Sequence, residues 1–436
     1  MAWISAEIER LQRLHACISV QLKINQSVAS PVRRLPPELL SEVFVRLLDT
    51  AHTASNKFFL AMHTISHVCT SWRTTARNTP RLWTNISSLV LLPSSRQISY
   101  TRHVSDQAAL CGTLPLHIFH MKPAIVDKTL VPFMARLRPH AAQWRTLILK
   151  GDCAALETQS ALALPLLDVA HIELLGRSTR RPLSFLAGAS ALRSLTVIRK
   201  VMLLAPESFE VPRLSSLTCL ALTGLSLMTV LSACQHCKDS LVSLHVSTLC
   251  LSQGGPTGPL TGHTNITSLR MVKLSGSAHE ILGYINAPLL RDMILEEVVN
   301  VVQGDPFLSL SAFALRSSPF QRLTLRGIHA MNQPDNFLHC LERMGALREL
   351  QIADVPGTTR PRLTQEFIVR MTYADDAQCL CPGLTKLWLN FNRFRLPDQE
   401  LRGALRAMVA SRSASRTCAS PEVQALQVFE TDIDNV

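Results

Sequence analysis

Between Trp144 and Leu389 the chain repeats one short pattern, apolar-x-x-apolar-x-apolar, ten times. The triplets open at Trp144, Val169, Leu192, Leu217, Leu241, Ile266, Leu290, Phe320, Leu347 and Leu384, at intervals of 25, 23, 25, 24, 25, 24, 30, 27 and 37 residues. Six successive intervals of 23 to 25 constrain the fold more than any other feature. Alternation within each triplet marks a short strand with one buried face. The near-constant spacing marks a chain that leaves the strand, returns, and lays down the next one alongside it. No single unit of this size can bury its own apolar face, so the units must stack. Weaker matches at Ile86/Leu89/Leu91 and Cys111/Leu114/Leu116 extend the series towards the N-terminus.

The period resembles that of leucine-rich repeats, in an irregular version: no unit has the clean Asn or Cys that follows the strand in regular ones, and the longer late intervals imply insertions. Apolar residues make up 47% of the 436 positions and aromatics only 5%, so aliphatic side chains must fill the core. One stretch imitates a membrane span. No charge occurs between Arg213 and Lys238, a length that could cross a bilayer. Polar residues run through it, however, and it corresponds to one whole repeat, strand then helix.

Upstream lie two other regions. In residues 1–30, Ile4, Ile8, Leu11, Leu14 and Ile18 fall three or four apart, opposite Glu7, Glu9, Arg10 and Arg13. That predicts an amphipathic helix, followed by a linker ending at Pro31. Residues 31–86 read as a small all-helical unit. After Pro36-Pro37 a first helix carries Leu39, Leu40, Val43, Phe44, Leu47 and Leu48. A second carries Phe58, Phe59, Met62, Ile65, Val68, Cys69 and Trp72, and Pro80 ends it by disfavouring helix at Thr79. Some fifty residues make a marginal core, so the unit is expected to share its apolar surface. The repeats then occupy 87–415, with a tail at 416–436.

A search for chemistry finds no HExxH, GxxxxGK[ST], GxSxG or strand-associated GxGxxG pattern. The twelve Cys are scattered, as in a reduced intracellular chain of the cytoplasm or nucleus. Cys234-x-x-Cys237 and Cys379-x-Cys381 lack the second pair a zinc site needs. His63 and His67 fit packing roles on the second helix, and Glu296-Glu297 and Asp375-Asp376 read as solvated faces. The start lacks an apolar signal region, and Asn25, Asn85 and Asn265 are chance matches to the glycosylation triplet. No catalyst, cofactor or metal is expected.

What remains is recognition. Net charge is +12 and the isoelectric point near 9.4, which favours acidic partners. In each triplet the residues between the apolar ones face away from the core. Early strands present Ser194, Thr196, Ala221 and Ser243, with Lys150, Glu173, His245 and Arg270 as the charged or titratable exceptions. Later ones present Asp292, Glu296, Arg322, Arg326, Glu349, Lys386 and Trp388. The predicted target-binding set is Asp292, Glu296, Arg322, Arg326, Lys386 and Trp388. Mixed signs there argue against nucleic acid, which wants a continuous basic stripe.

The segment "RLPPELLSEVFVRLL", followed by "ISHVCTSWRTTARNTPRLW", resembles an F-box, in the variant common in mushroom-type fungi. Leu35, Pro36, Glu38, Leu39, Leu40 and Phe44, then Val68, Cys69, Trp72, Arg73, Pro80, Leu82 and Trp83, carry the likeness. The resemblance implies a small all-α F-box ahead of a parallel-β, α/β solenoid of leucine-rich-repeat type, α+β overall. It implies docking on the Skp adaptor of a cullin–RING ubiquitin ligase through Leu35, Pro36, Leu39, Leu40, Val43 and Phe44, with the repeat body capturing a target protein. A repeat scaffold that joins no ligase is the alternative.

Overall fold

The structure is a computed structural model and describes residues 2–29, 34–49, 64–88, 97–121, 129–176, 181–199, 210–249, 263–298, 304–317, 319–328, 335–355, 363–373, 379–391, 399–413 and 423–433. Thirteen strands make one sheet: β1 (Asn85–Ser87), β2 (Leu116–His120), β3 (Trp144–Asp152), β4 (Val169–Leu175), β5 (Ser194–Arg199), β6 (Cys219–Thr223) and β7 (Ser243–Ser247), then β8 (Met271–Ser275), β9 (Asp292–Glu296), β10 (Arg322–Arg326), β11 (Glu349–Ala353), β12 (Lys386–Asn390) and β13 (Val428–Thr431). All pairings are parallel and each strand's neighbours in the sheet are its neighbours in sequence. The apolar positions of each triplet face the core: Leu147, Leu195, Leu244, Leu323, Leu350 and Leu387 are fully buried.

The pairing re-phases two of the ten triplets. Leu147 and Leu149 lie opposite Ala170 and Ile172, so the unit is Leu167/Ala170/Ile172 and not Val169/Ile172/Leu174. Val169 is exposed, but Ile172 and Leu174 are both buried on the long strand β4, and the small Ala170 conceals the true frame. Farther on, Leu244 and Val246 lie opposite Val272 and Leu274. The unit is therefore Leu269/Val272/Leu274, and Met271 and Arg270 are exposed. Ile266 and Leu269 are buried in the turn before the strand, which is what made the earlier frame look apolar. The two weak N-terminal matches also shift: Ile118 and His120 lie opposite Leu147 and Leu149, and Ile86 opposite Ile118. Leu89 and Leu91 are outside the described residues. At the other end β13 joins the sheet, so the stretch from residue 416 is not merely a tail.

The wider late intervals are filled by helices: α8 (Pro306–Arg316), α9 (Asp335–Glu342), α10 (Gln365–Met371) and α11 (Gln399–Ser411). Earlier returns use α4 (Gln97–Leu110), α5 (Leu130–Leu137), α6 (Cys153–Glu157), α7 (Leu227–His236) or short 3-10 turns. The uncharged stretch before Lys238 is β6 followed by α7, with Ser226 capping the helix through Thr229 N at 3.2 Å. Phe307, Phe337 and Phe367 stack from one helix to the next, with ring centroids 5.1 and 5.5 Å apart. Arg412 closes the array. It is fully buried and donates to the carbonyls of Met371 (2.8 Å), Cys381 (3.2 Å) and Leu380, and to Cys379 Sγ.

Each of six strands is followed at once by a residue of positive φ: Gly176, Gly224, Thr248, Gly276, Glu297 and Gly327. Gly224 shows why glycine recurs there. A Cβ on it would sit 2.2 Å from the carbonyl oxygen of Arg199, and left-handed backbone already disfavours a side chain.

The N-terminal helices are α1 (Ala2–Ala29), α2 (Pro37–Asp49) and α3 (Thr70–Arg77). Residues 64–68 are helical too, but the helix expected to run on through Cys69 breaks there. Cys69 is extended (φ −160, ψ 172) and its Sγ accepts from Trp72 N at 3.5 Å, capping α3. Phe58, Phe59 and Met62 lie outside the described residues. Phe44 packs on Trp72, centroids 5.0 Å apart. Trp83 then bolts this unit to the sheet. Its Nε1 donates to Ala76 O at 2.8 Å, while its own carbonyl accepts from Cys111 Sγ (2.8 Å) and Gln107 Nε2 (3.4 Å) of the next return segment.

The corrected register makes a sharp prediction. Val272→Asp buries a charge and should destabilise the fold by several kcal/mol, whereas Met271→Gln should change it by about 0.5 kcal/mol or less. Urea unfolding followed by circular dichroism measures both. Greater damage from Met271→Gln would return the strand to the other frame.

Candidate interaction surfaces

Two surfaces remain once the core is set aside. The first is α2. Pro37 starts the helix at a position where a missing N–H costs nothing, and Leu40 N closes the first turn on Pro36 O at 3.0 Å. The apolar run then divides between two faces. Leu40 (3% exposed) and Phe44 (1%) turn inward, while Leu39 (55%) and Val43 (52%) turn outward, with Leu47 exposed one turn farther on. Leu35 and Pro36, just before the helix, are exposed, as is Val68. Leu39, Val43 and Leu47 are four apart, so they form one ridge.

Four of the six predicted adaptor residues therefore present apolar surface: Leu35, Pro36, Leu39 and Val43. Leu40 and Phe44 are corrected to core residues that hold the ridge in place. A stripe as wide as this one serves two faces, and adjacent leucines cannot both point one way on a helix. Leu47 was legible as part of the same stripe, as was Val68 as an apolar residue of the motif.

The second surface is the outward face of β9 to β12. Strands here are in register, so outward residues form rows. Asp292, Arg322, Glu349 and Lys386 follow one another across four strands. Arg322 donates to Asp292 (2.8 Å) and Glu349 (2.6 Å), and Lys386 reaches Glu349 at 2.9 Å. The signs alternate along the row, and each charge meets an opposite one. At the far ends of the strands the row is shorter: Glu296 pairs with its register neighbour Arg326 (3.5 Å) and diagonally with Lys273 (2.6 Å), and Arg326 also donates diagonally to Gln351 at 3.0 Å. Between the rows the half-buried Trp388 lies opposite Gln351 and Glu430. The hydrogen bond from Arg322, reinforced by Lys386, holds the Glu349 carboxyl below the usual carboxylate range.

All six predicted target residues thus share one face of the sheet. The five charged ones are all ion-paired, among themselves and with Glu349 and Lys273. Lys273 completes this network and was missed, because the shifted triplet assigned the outward place to Arg270. The earlier strands carry a smaller feature of the same kind, a Lys150–Glu173 pair at 2.8 Å with both side chains largely buried. Of the thiol pairs, Cys234 and Cys237 are buried in the return segment after β6, and burial pushes their pKa values up to about 12 and about 11. Among the described residues no group of three or more His, Cys, Asp or Glu could hold a metal, and no helix is long and apolar enough to cross a membrane. His67 is exposed beside Ser66. His63 and Asp375-Asp376 lie outside the described residues.

Residues 32–88 match the F-box-like family model. The matched span takes in α2, α3 and β1 but not α1, so α2 and α3 fit an F-box and the outward ridge falls inside the match. A search of the curated proteins finds no match to the chain.

The row chemistry can be tested alone. Arg322→Glu would set three carboxylates side by side, with Asp292 and Glu349 left facing a like charge. We expect a lower melting temperature at low salt, and a smaller loss in ~1 M NaCl, where the Debye length falls to about 3 Å. Differential scanning calorimetry at both salt concentrations measures it. An equal loss in the two buffers would show that the rows act through packing.

Proposed function

We propose that the chain is the target-selecting subunit of an SCF-type ubiquitin ligase. The helical unit of α2 and α3 docks on a Skp-type adaptor, and the sheet, an irregular leucine-rich-repeat solenoid, holds the target. F-box domains bind Skp-type adaptors, and the matched span supports an adaptor role for this chain. The observation that carries the reading is the ridge Leu39/Val43/Leu47. A small helical unit leaves a row of large aliphatic side chains in water on one face while sealing the adjacent row inside. Such a ridge is the composition of an interface core.

The mechanism is proximity. A ligase of this kind transfers ubiquitin from groups that other subunits supply, and the present chain contributes a high effective concentration of target beside them. Rigidity then matters, and Trp83 supports it: one residue is bonded both to the helical unit and to the first return segment. A target held on β9 to β12 would be fixed relative to the docking ridge. Because the charges there are paired, the face offers a target little net attraction. It offers oriented hydrogen-bonding groups and the half-buried indole of Trp388, which supplies contact area at little entropic cost.

Leu39→Asp with Val43→Asp should abolish co-purification with a Skp-type adaptor, weakening binding by at least about 100-fold. Circular dichroism should be unchanged, since neither side chain is in the core. Full-strength adaptor binding by that variant would sink the ligase reading and leave a repeat scaffold in its place.

A second measurement separates the two halves of the proposal. Trp388→Ala should weaken target capture about tenfold or more while adaptor binding is untouched, and Thr196→Tyr on an early strand should leave capture as it was. The reverse pattern would move recognition to the uncharged strands.

A further inference from the structure

Helix α1 spans 28 residues, and its large apolar side chains from Trp3 to Ile24 are all exposed. We propose that α1 pairs with α1 of a second copy of this chain, as a parallel, in-register, two-stranded coiled coil. The proposal does not depend on the adaptor reading. Its first support is the spacing. Ile4, Ile8, Leu11, His15, Ile18, Leu22 and Asn25 follow in strict alternation of four and three. That is the 3.5-residue period of a coiled-coil seam, held over three heptads, and a helix packing on a globular body has no need of it.

The flanks decide who the partner is. Of the seven positions beside the seam between Ser5 and Gln26, only Glu7 is charged. A helix that selects an unlike partner usually does so through opposite charges at these places, and here there are almost none to read. Nothing opposes self-pairing either. Glu7 is tied to Arg10 at 2.7 Å and Glu9 to Arg13 at 2.9 Å within the same helix, so the charges are neutralised before a second copy arrives. Leu14, beside the seam, adds apolar surface where a charge would otherwise sit.

Polar seam residues set the direction. In a parallel pair without stagger, His15 meets His15 and Asn25 meets Asn25, so each polar group faces another that can share a hydrogen bond. Shifting the register or reversing one strand sets them against Ile or Leu. The area is sufficient. Six half-exposed Ile and Leu side chains from each copy offer on the order of 1,000 Å² to bury, the size at which specific interfaces begin.

Sedimentation equilibrium of the full chain at tens of micromolar tests this. The wild type should weigh twice its 48.3 kDa. Leu11→Asp with Ile18→Asp should weigh the monomer, its dissociation constant raised at least about 100-fold. Val20→Asp, equally exposed but on the far side of the helix, should remain dimeric. A urea unfolding curve that matches the wild type would show that the rest of the seam variant is intact. A monomeric wild type, a dimer indifferent to the seam, or one lost on Val20→Asp would overturn the proposal. In a Cys17→Ser background, Asn25→Cys should form a covalent dimer under mild oxidation. A non-covalent dimer that does not cross-link would overturn the parallel, in-register pairing.

Discussion

Every other feature rests on the contact between inward aliphatic side chains on successive parallel strands. Leu195, Leu220 and Leu244 lie opposite one another across three strands, and each is almost wholly buried. Parallel strands cannot turn back through a hairpin, so each must be followed by a return segment. That segment supplies the second wall of the core, as Val230 and Cys234 do on α7. Burial of the inward row fixes the register, because a slip of one residue would exchange core for solvent. Register in turn aligns the outward residues into rows. The ion-pair network across β9 to β12 is therefore a by-product of core packing: Arg322 stands between Asp292 and Glu349 because Leu323 stands between Met293 and Leu350.

A stack of this kind has two ends, and each exposes core unless covered. At the N-terminal end the helical unit is the cover. Leu82 and Ile86 are fully buried, and Trp83 nearly so, in one continuous apolar cluster that runs from Phe44 into the sheet. At the far end α11 and Arg412 serve. A buried guanidinium is costly unless its donors are satisfied, and here carbonyls left over near the end of α10 and in the following turn accept them. The same contacts stabilise the last units and remove orphaned acceptors.

Much of this was legible in the residues because strand, return and strand again impose a period that aliphatic patterning reports directly. Eight strands of the sheet, β3 and β5 to β12 apart from β8, stand in the frame the triplets assign. Failures arose where burial is not confined to strands. Ile266 is as buried as any strand residue, yet it sits in a turn, and alternation cannot distinguish the two. Ala170 failed in the opposite sense, being too small to register. The positive-φ position after the strand is visible as recurring glycines at 176, 224, 276 and 327, where regular repeats place Asn or Cys nearby. For the surfaces, patterning found the right helix and the right strands. It could not say that Leu40 faces inward and Leu39 outward, since that depends on where α3 packs, and it could not show that the charges are mutually paired, since that depends on registers across about thirty residues of sequence.

Pairing among those charges changes what the face can do. An unpaired Arg322 would attract any carboxylate and would bind acidic partners broadly, as the net positive charge of the chain already encourages. Held between Asp292 and Glu349, it offers little long-range field, and a partner must match the positions of donors and acceptors to displace or extend the network. Such a surface costs affinity and gains discrimination, because a poorly matched partner leaves desolvated charges behind. The half-buried Trp388 between the two rows then supplies the apolar contact the rows cannot. The strands before β8 carry the single, largely buried Lys150–Glu173 pair in place of such rows, which is the physical reason the proposed selectivity is assigned to the C-terminal half of the sheet.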